Sequence, residues 1–142
     1  MTERPIIIHN LKDARIAISV ASREDCMVTL RSAPGAAIYL GPQVFNEIIK
    51  QAKIGYESTE VLAIFDCGED SGIALSALRH GLKVIRIDLP SETFKKISDI
   101  ATQMEARVET SRLNKIRETE PVLDLLNLED AESKVRSWLK GD

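Results

Sequence analysis

Residues 65–90 read FDCGEDSGIALSALRHGLKVIRIDLP. An apolar strand stops at Asp66-Cys67-Gly68, a helix of small residues runs over about 71–80, Gly81 ends it, and a second apolar strand stops at Asp88. The strand containing Phe65 covers VLAIFD (61–66), and the one after Gly81 covers KVIRID (83–88). Both are nearly continuous apolar runs, the signature of strands buried on two faces, as in a parallel sheet. Strand, helix and strand in this order form a βαβ unit, whose crossover is right-handed.

The same grammar extends in both directions. PIIIH (5–9) is a first strand, and Asn10 caps a helix whose apolar positions are Leu11, Ala14, Ile18 and Ala21, with Asp13 at the capping-box position. MVTLRS (27–32) is a second strand, closed by the turn signal Ala33-Pro34-Gly35. Pro42 opens the next helix, with Val44, Phe45, Ile48, Ile49 and Ala52 as its buried stripe and Gly55 as its stop. Pro90-Ser91 opens a fourth helix, with a stripe of Phe94, Ile97, Ile100, Ala101 and Met104, and RVET (107–110) is a fifth strand. The expected fold is α/β, a four- or five-stranded parallel sheet of repeated βα units, either a flavodoxin-like open sheet or a partial βα-barrel. Residues 1–110 form this domain. Residues 111–142 comprise a polar linker and a helical tail with Ala131, Val135, Trp138 and Leu139 on one face. Such a short helix is not stable alone, so the tail must dock on its own chain or on a partner.

Composition narrows the function classes. Hydrophobic residues make up 44% and aromatic residues only 4%, so the core is built from Ile, Leu, Val and Ala. The formal net charge of −3 argues against broad binding to nucleic acid or anionic membranes. No apolar run reaches the length of a membrane-spanning helix, and MTERPIIIHN is too short in its apolar part for a signal peptide. Cys26 and Cys67 match neither a metal-spaced pair nor a disulfide framework, which points to a cytoplasmic protein with free thiols.

In parallel α/β folds, ligands bind at the carboxyl ends of the strands. That rim comprises His9, Ser32, the Pro34-Gly35 turn, Asp66-Cys67-Gly68 and Asp88. Asp66 stands out, because a carboxylate ending a buried strand needs a partner or a function. Glu69 and Asp70 crowd it, and such crowding suits a hard cation, but first-turn acids are also favoured by the helix dipole alone. Cys67 precedes a helix N-terminus, which acidifies a thiol, while the nearby acids oppose that effect. Asp66 and Cys67 are the candidate catalytic pair. His9, Ser32, Gly35, Gly68 and Asp88 are the candidate ligand-binding residues. His80 sits at a helix C-terminus on the opposite edge, as a dipole partner. A receiver-type phosphoacceptor would need acids after the first strand, and PIIIHN has none.

The segment 64–88 resembles class II fructose-bisphosphate aldolases, zinc-dependent barrels with H-x-D-H-G at a strand end, a helix finishing in A-I-x-x-G-F and a strand ending in aspartate. Asp66, Gly68, Ala77-Leu78, Gly81-Leu82 and Ile87-Asp88 match without a gap. The resemblance implies a βα-barrel-like unit, with Asp66 at the proton-transfer position. Ile64 stands at the first histidine position and Cys67 at the zinc-binding one. The chain has two histidines, too few for that family's metal site. The layout is also similar to a group of small uncharacterised bacterial proteins with an S-A-P-G-A turn and an L-D-C-G strand end, here Ser32–Ala36 and Phe65–Gly68.

The resulting expectation is non-catalytic binding of a small phosphorylated or polar ligand, or a role in assembly, with no metal or cofactor and no nucleic-acid or membrane partner. A homo-oligomer or a partner protein would engage the tail. The alternative is a small aldolase- or lyase-like enzyme using Asp66 with Cys67 or a divalent metal.

Overall fold

The computed structural model describes residues 4–110 and 121–141. In chain order these form β1 (Ile6–Ile8), α1 (Leu11–Arg23), β2 (Val28–Ser32), a 3-10 turn (Ala36–Ile38), α2 (Pro42–Ala52), β3 (Val61–Gly68), α3 (Ser71–Arg79), β4 (Val84–Ile87), α4 (Ser91–Gln103), β5 (Arg107–Thr110), β6 (Leu123–Asp124) and α5 (Ala131–Lys140). The expected linker at 111–120 lies outside the described residues. The sheet has six strands in the order β5-β4-β3-β2-β1-β6. From β1 to β5 each strand lies beside its predecessor, so the winding never reverses between them. That removes the flavodoxin-like alternative, whose order turns back on itself, and leaves the barrel-like one.

The described residues divide into two compact units, one made of residues 4–31, 47–62 and 121–141, the other of residues 32–46 and 63–110. In the first, the Asn10 side chain accepts from the Asp13 N–H at 2.9 Å. Asp13 answers by accepting from the main-chain N–H of His9 at 2.9 Å, so the capping box closes one residue earlier than the standard form. Ala14, Ala17, Ile18 and Ala21 are buried along α1, which packs against α5. Leu11, in the first turn, is exposed.

In the second unit, Phe45 of α2 meets Phe65 of β3 with ring centroids 5.3 Å apart, a tilted pair of the favoured kind. α3 and α4, which follow consecutive strands, pack on one another, as winding in a single direction requires. Asp70 caps α3, accepting from the Ile73 N–H at 3.0 Å. Val44, Ile100 and Met104 are exposed, contrary to their expected place in buried stripes. Val44 precedes Phe45 and so points about 100° round the helix from it. Ile100 lies to one side of the line through Ile97 and Ala101, and Met104 lies past the last turn.

The tail docks within its own chain. β6 runs parallel to β1, with Ile6 opposite Leu123 and Ile7 opposite Asp124. The periodicity gave no sign of β6, because only two residues join the ladder. Val135 is the fully buried residue of α5, whereas Trp138 and Leu139, on the face expected to dock, are only partly covered. Trp138 is instead clasped by Arg4. Its indole N–H donates to the Arg4 carbonyl at 2.9 Å, Arg4 Nε donates to the Trp138 carbonyl at 2.8 Å, and the guanidinium lies 4.0 Å from the ring centroid. Arg23 pairs with Glu132, and Lys140 with Glu24 at 3.2 Å. Replacing Trp138 with Ala removes a cation–π contact, a hydrogen bond and apolar area. It is expected to lower stability by roughly 2–3 kcal/mol in urea unfolding, less than for a fully buried Trp.

Candidate functional site

The end of β3 organises the second unit. Opposite β4 the pairing runs Asp66 to Arg86 and then Gly68 to Ile87, so Cys67 is the extra residue of a bulge. Gly68 has φ +61°, a left-handed value that glycine adopts without strain. Its N–H donates to Asp66 Oδ1 at 2.9 Å. The Asp66 N–H donates to the hydroxyl of fully buried Ser32 at 2.8 Å. The Asp88 N–H donates to the Gly68 carbonyl at 2.8 Å. Four of the expected rim residues, Ser32, Asp66, Gly68 and Asp88, therefore meet at one carboxyl edge.

Asp66 has a partner that was not read from the sequence. Arg86 Nε lies 3.8 Å from Asp66 Oδ2, and both residues are only 5% exposed. Arg86 also reaches Glu109 at 3.5 Å, and Arg107 approaches Glu109 at 3.5 Å. Asp66, Arg86 and Glu109 are opposite one another in register across β3, β4 and β5, so parallel pairing itself aligns these charges. The available signal was Arg86 in the middle of KVIRID, since a charge inside a buried strand demands a counter-charge.

Beside this edge lies an open cleft of about 500 Å³, lined by Gly35, Ala37 and Ile38 on one side and by residues 67–71 and Ile73 on the other. Gly35, at φ +80°, turns the chain into the 3-10 turn. The ionisable side chains of the lining, apart from the Cys67 thiol, are Glu69 and Asp70, both acidic. That thiol is buried and donates weakly to the Phe65 carbonyl at 3.8 Å. Burial, reinforced by Asp66 and Asp70, pushes its pKa up to about 12. The helix N-terminus does not overcome this, so the thiolate needed for nucleophilic chemistry is scarce at neutral pH. Among the described residues, no three His, Cys, Asp or Glu side chains converge on a point that could hold a metal ion.

His9 belongs to the first unit, where its Nε2 lies 2.6 Å from Asp124 Oδ1. His80 ends α3, its Nδ1 2.8 Å from the Ser76 carbonyl.

No family model and no curated protein matches the chain. Among solved structures it is similar to the YdjI aldolase of Escherichia coli K12, with a TM-score of 0.64 and 16% identity over 77% of this chain. The match spans 44% of the aldolase, less than half its length. At that identity the likeness establishes a shared fold and nothing about chemistry. Helical segments long and apolar enough to cross a membrane are absent from the described residues.

Both cysteines are free. At pH 8, iodoacetamide is expected to modify partly exposed Cys26 in the native protein while sparing Cys67, which becomes reactive only on unfolding. Peptide mass mapping with and without denaturant reads this directly.

Proposed function

We propose that the protein binds a small polar ligand, without covalent chemistry of its own, in the cleft between the Gly35 turn and the start of α3. The observation that carries this reading is the division of labour at the end of β3. The Asp66 carboxylate is occupied by Arg86 and the Gly68 N–H, and the Cys67 thiol is buried, while the adjoining cleft is open. Gly35, Gly68 and the first turn of α3 supply backbone groups, and Ala37, Ile38 and Ile73 supply an apolar wall.

Electrostatics refine the ligand class. The helix N-terminus contributes about half a positive charge, against the full negative charges of Glu69 and Asp70. The balance favours a neutral hydroxylated or cationic molecule over a phosphorylated one. Two free thiols suit a reducing, cytoplasmic setting. Ile38 and Tyr39, 88% and 76% exposed beside the cleft, suit contact with a second copy of the chain.

The second reading, an aldolase-like enzyme, rests on the fold likeness and on Asp66. Titration of glucose, glucosamine and glucose 6-phosphate, followed by amide chemical shifts, separates the two. The proposal expects shifts at Gly35, Gly68 and Ser71 with glucose or glucosamine, weaker ones with the phosphate, and a several-fold loss of glucosamine affinity in Glu69→Gln. Silence of all three sugars at these residues overturns it. Divalent-metal-dependent cleavage of a sugar phosphate, lost in Asp66→Asn, establishes the aldolase-like reading in its place.

A further inference from the structure

We propose that His9 is a proton-accepting residue of a second site, in the first unit, with Nδ1 as the working atom and Asp124 as the carboxylate that orients it. β1 ends at Ile8, which puts His9 at the carboxyl end of the strand. Its main chain is tied to the start of α1 by the bond from its N–H to Asp13 Oδ2. Its ring is tied to Asp124, whose Oδ1 lies 2.6 Å from Nε2. That carboxylate is itself fixed, because the same oxygen accepts the Leu126 N–H at 2.9 Å.

These bonds settle the tautomer. An ionised carboxylate can only accept, so Nε2 carries the proton and the neutral ring presents a bare lone pair at Nδ1. Among the described residues Nδ1 has no hydrogen-bond partner. His80 is arranged differently, since its Nδ1 faces the Ser76 carbonyl. An imidazole with one nitrogen held by a carboxylate and the other left as acceptor is the arrangement of a general base. The His9 side chain is only 15% exposed, so the ring is held in place without being fully enclosed.

The substrate class is a small molecule with a hydroxyl group, or water. As the O–H bond breaks, its electron pair stays on oxygen and the proton goes to Nδ1. The resulting imidazolium carries N–H on both nitrogens and faces the Asp124 carboxylate. Proton return to product or solvent restores the neutral ring. This inference does not depend on the cleft of the second unit, and its test does not use that cleft.

The probe is p-nitrophenyl acetate. Water, deprotonated by Nδ1, attacks the acetyl carbon, and the ester C–O bond breaks with p-nitrophenolate leaving. Acetate and two protons are the other products, one proton released from Nδ1 and one from the acetic acid formed. The full chain is expected to hydrolyse it at least about a hundredfold faster than His9→Gln, the low end for a positioned base, while His80→Gln matches the parent. Asp124→Ala is expected to fall between, with its His9 ring nitrogens showing a tautomer mixture by 15N NMR where the parent shows Nε2–H. Asp124→Asn, which keeps the acceptor for the Leu126 N–H, replaces the Ala variant if that one does not fold. Equal rates for parent and His9→Gln overturn the proposal, and so does an Nδ1–H tautomer in the parent. In either case the His9–Asp124 pair is only a clasp that holds β6 to β1.

Discussion

A carboxylate sealed at the end of a parallel strand has to be neutralised and hydrogen-bonded where it lies, and the end of β3 is built round that demand at Asp66. Arg86, opposite it in register on β4, supplies the counter-charge. Gly68 supplies an N–H to Oδ1, and Ser32 receives the Asp66 N–H. Desolvating such a pair is costly, and removing one partner alone typically costs more than the pair contributes. The arrangement therefore sets geometry as much as it adds stability. Gly68 turns into a left-handed conformation, the bulge absorbs Cys67, and α3 starts from the Asp70 cap. The open cleft beside Gly68 follows from that local path.

The direction of winding gives the fold its second constraint. A sheet wound without reversal from β1 to β5 offers no central switch point for a ligand, unlike a doubly wound sheet. In βα-barrels, ligands bind at strand ends and the loops after them. The residues of chemical interest stand at such ends, His9 after β1, Ser32 and Gly35 at and after β2, Asp66 and Gly68 in β3, and Asp88 after β4. At the β1 edge, β6 takes up the ladder and α5 packs on α1. Apolar contact from Val135 and the paired bonds of Trp138 with Arg4 hold that tail.

Much of this is legible in local sequence. Five strands, five helices, the Asn10 cap and the meeting of Ser32, Asp66 and Asp88 follow from short-range pattern and from parallel βα order. What escaped depends on partners distant in sequence. Arg86 inside a buried strand signals that a counter-charge is needed, but which one it is depends on the register with Asp66. Asp124 sits in an apolar run whose two-residue strand has no period to detect, so its approach to His9 could not be anticipated. Val44, Ile100 and Met104 fit an apolar stripe by type, yet a small error in the phase of a helix leaves such residues outside. The Cys67 thiol shows the limit of position alone. A helix N-terminus argues for acidity, but burial, which only the fold reveals, dominates and drives the pKa upward.

The central claim is that Asp66 serves as the structural counter-charge of Arg86. A double-mutant cycle with Asp66→Asn and Arg86→Met, read by urea unfolding, tests it most directly. The account predicts a coupling of roughly 2 kcal/mol, within the range for contacting residues, with each single change costing more than its share of the double. Additivity to within about 0.5 kcal/mol, as for independent sites, would contradict it.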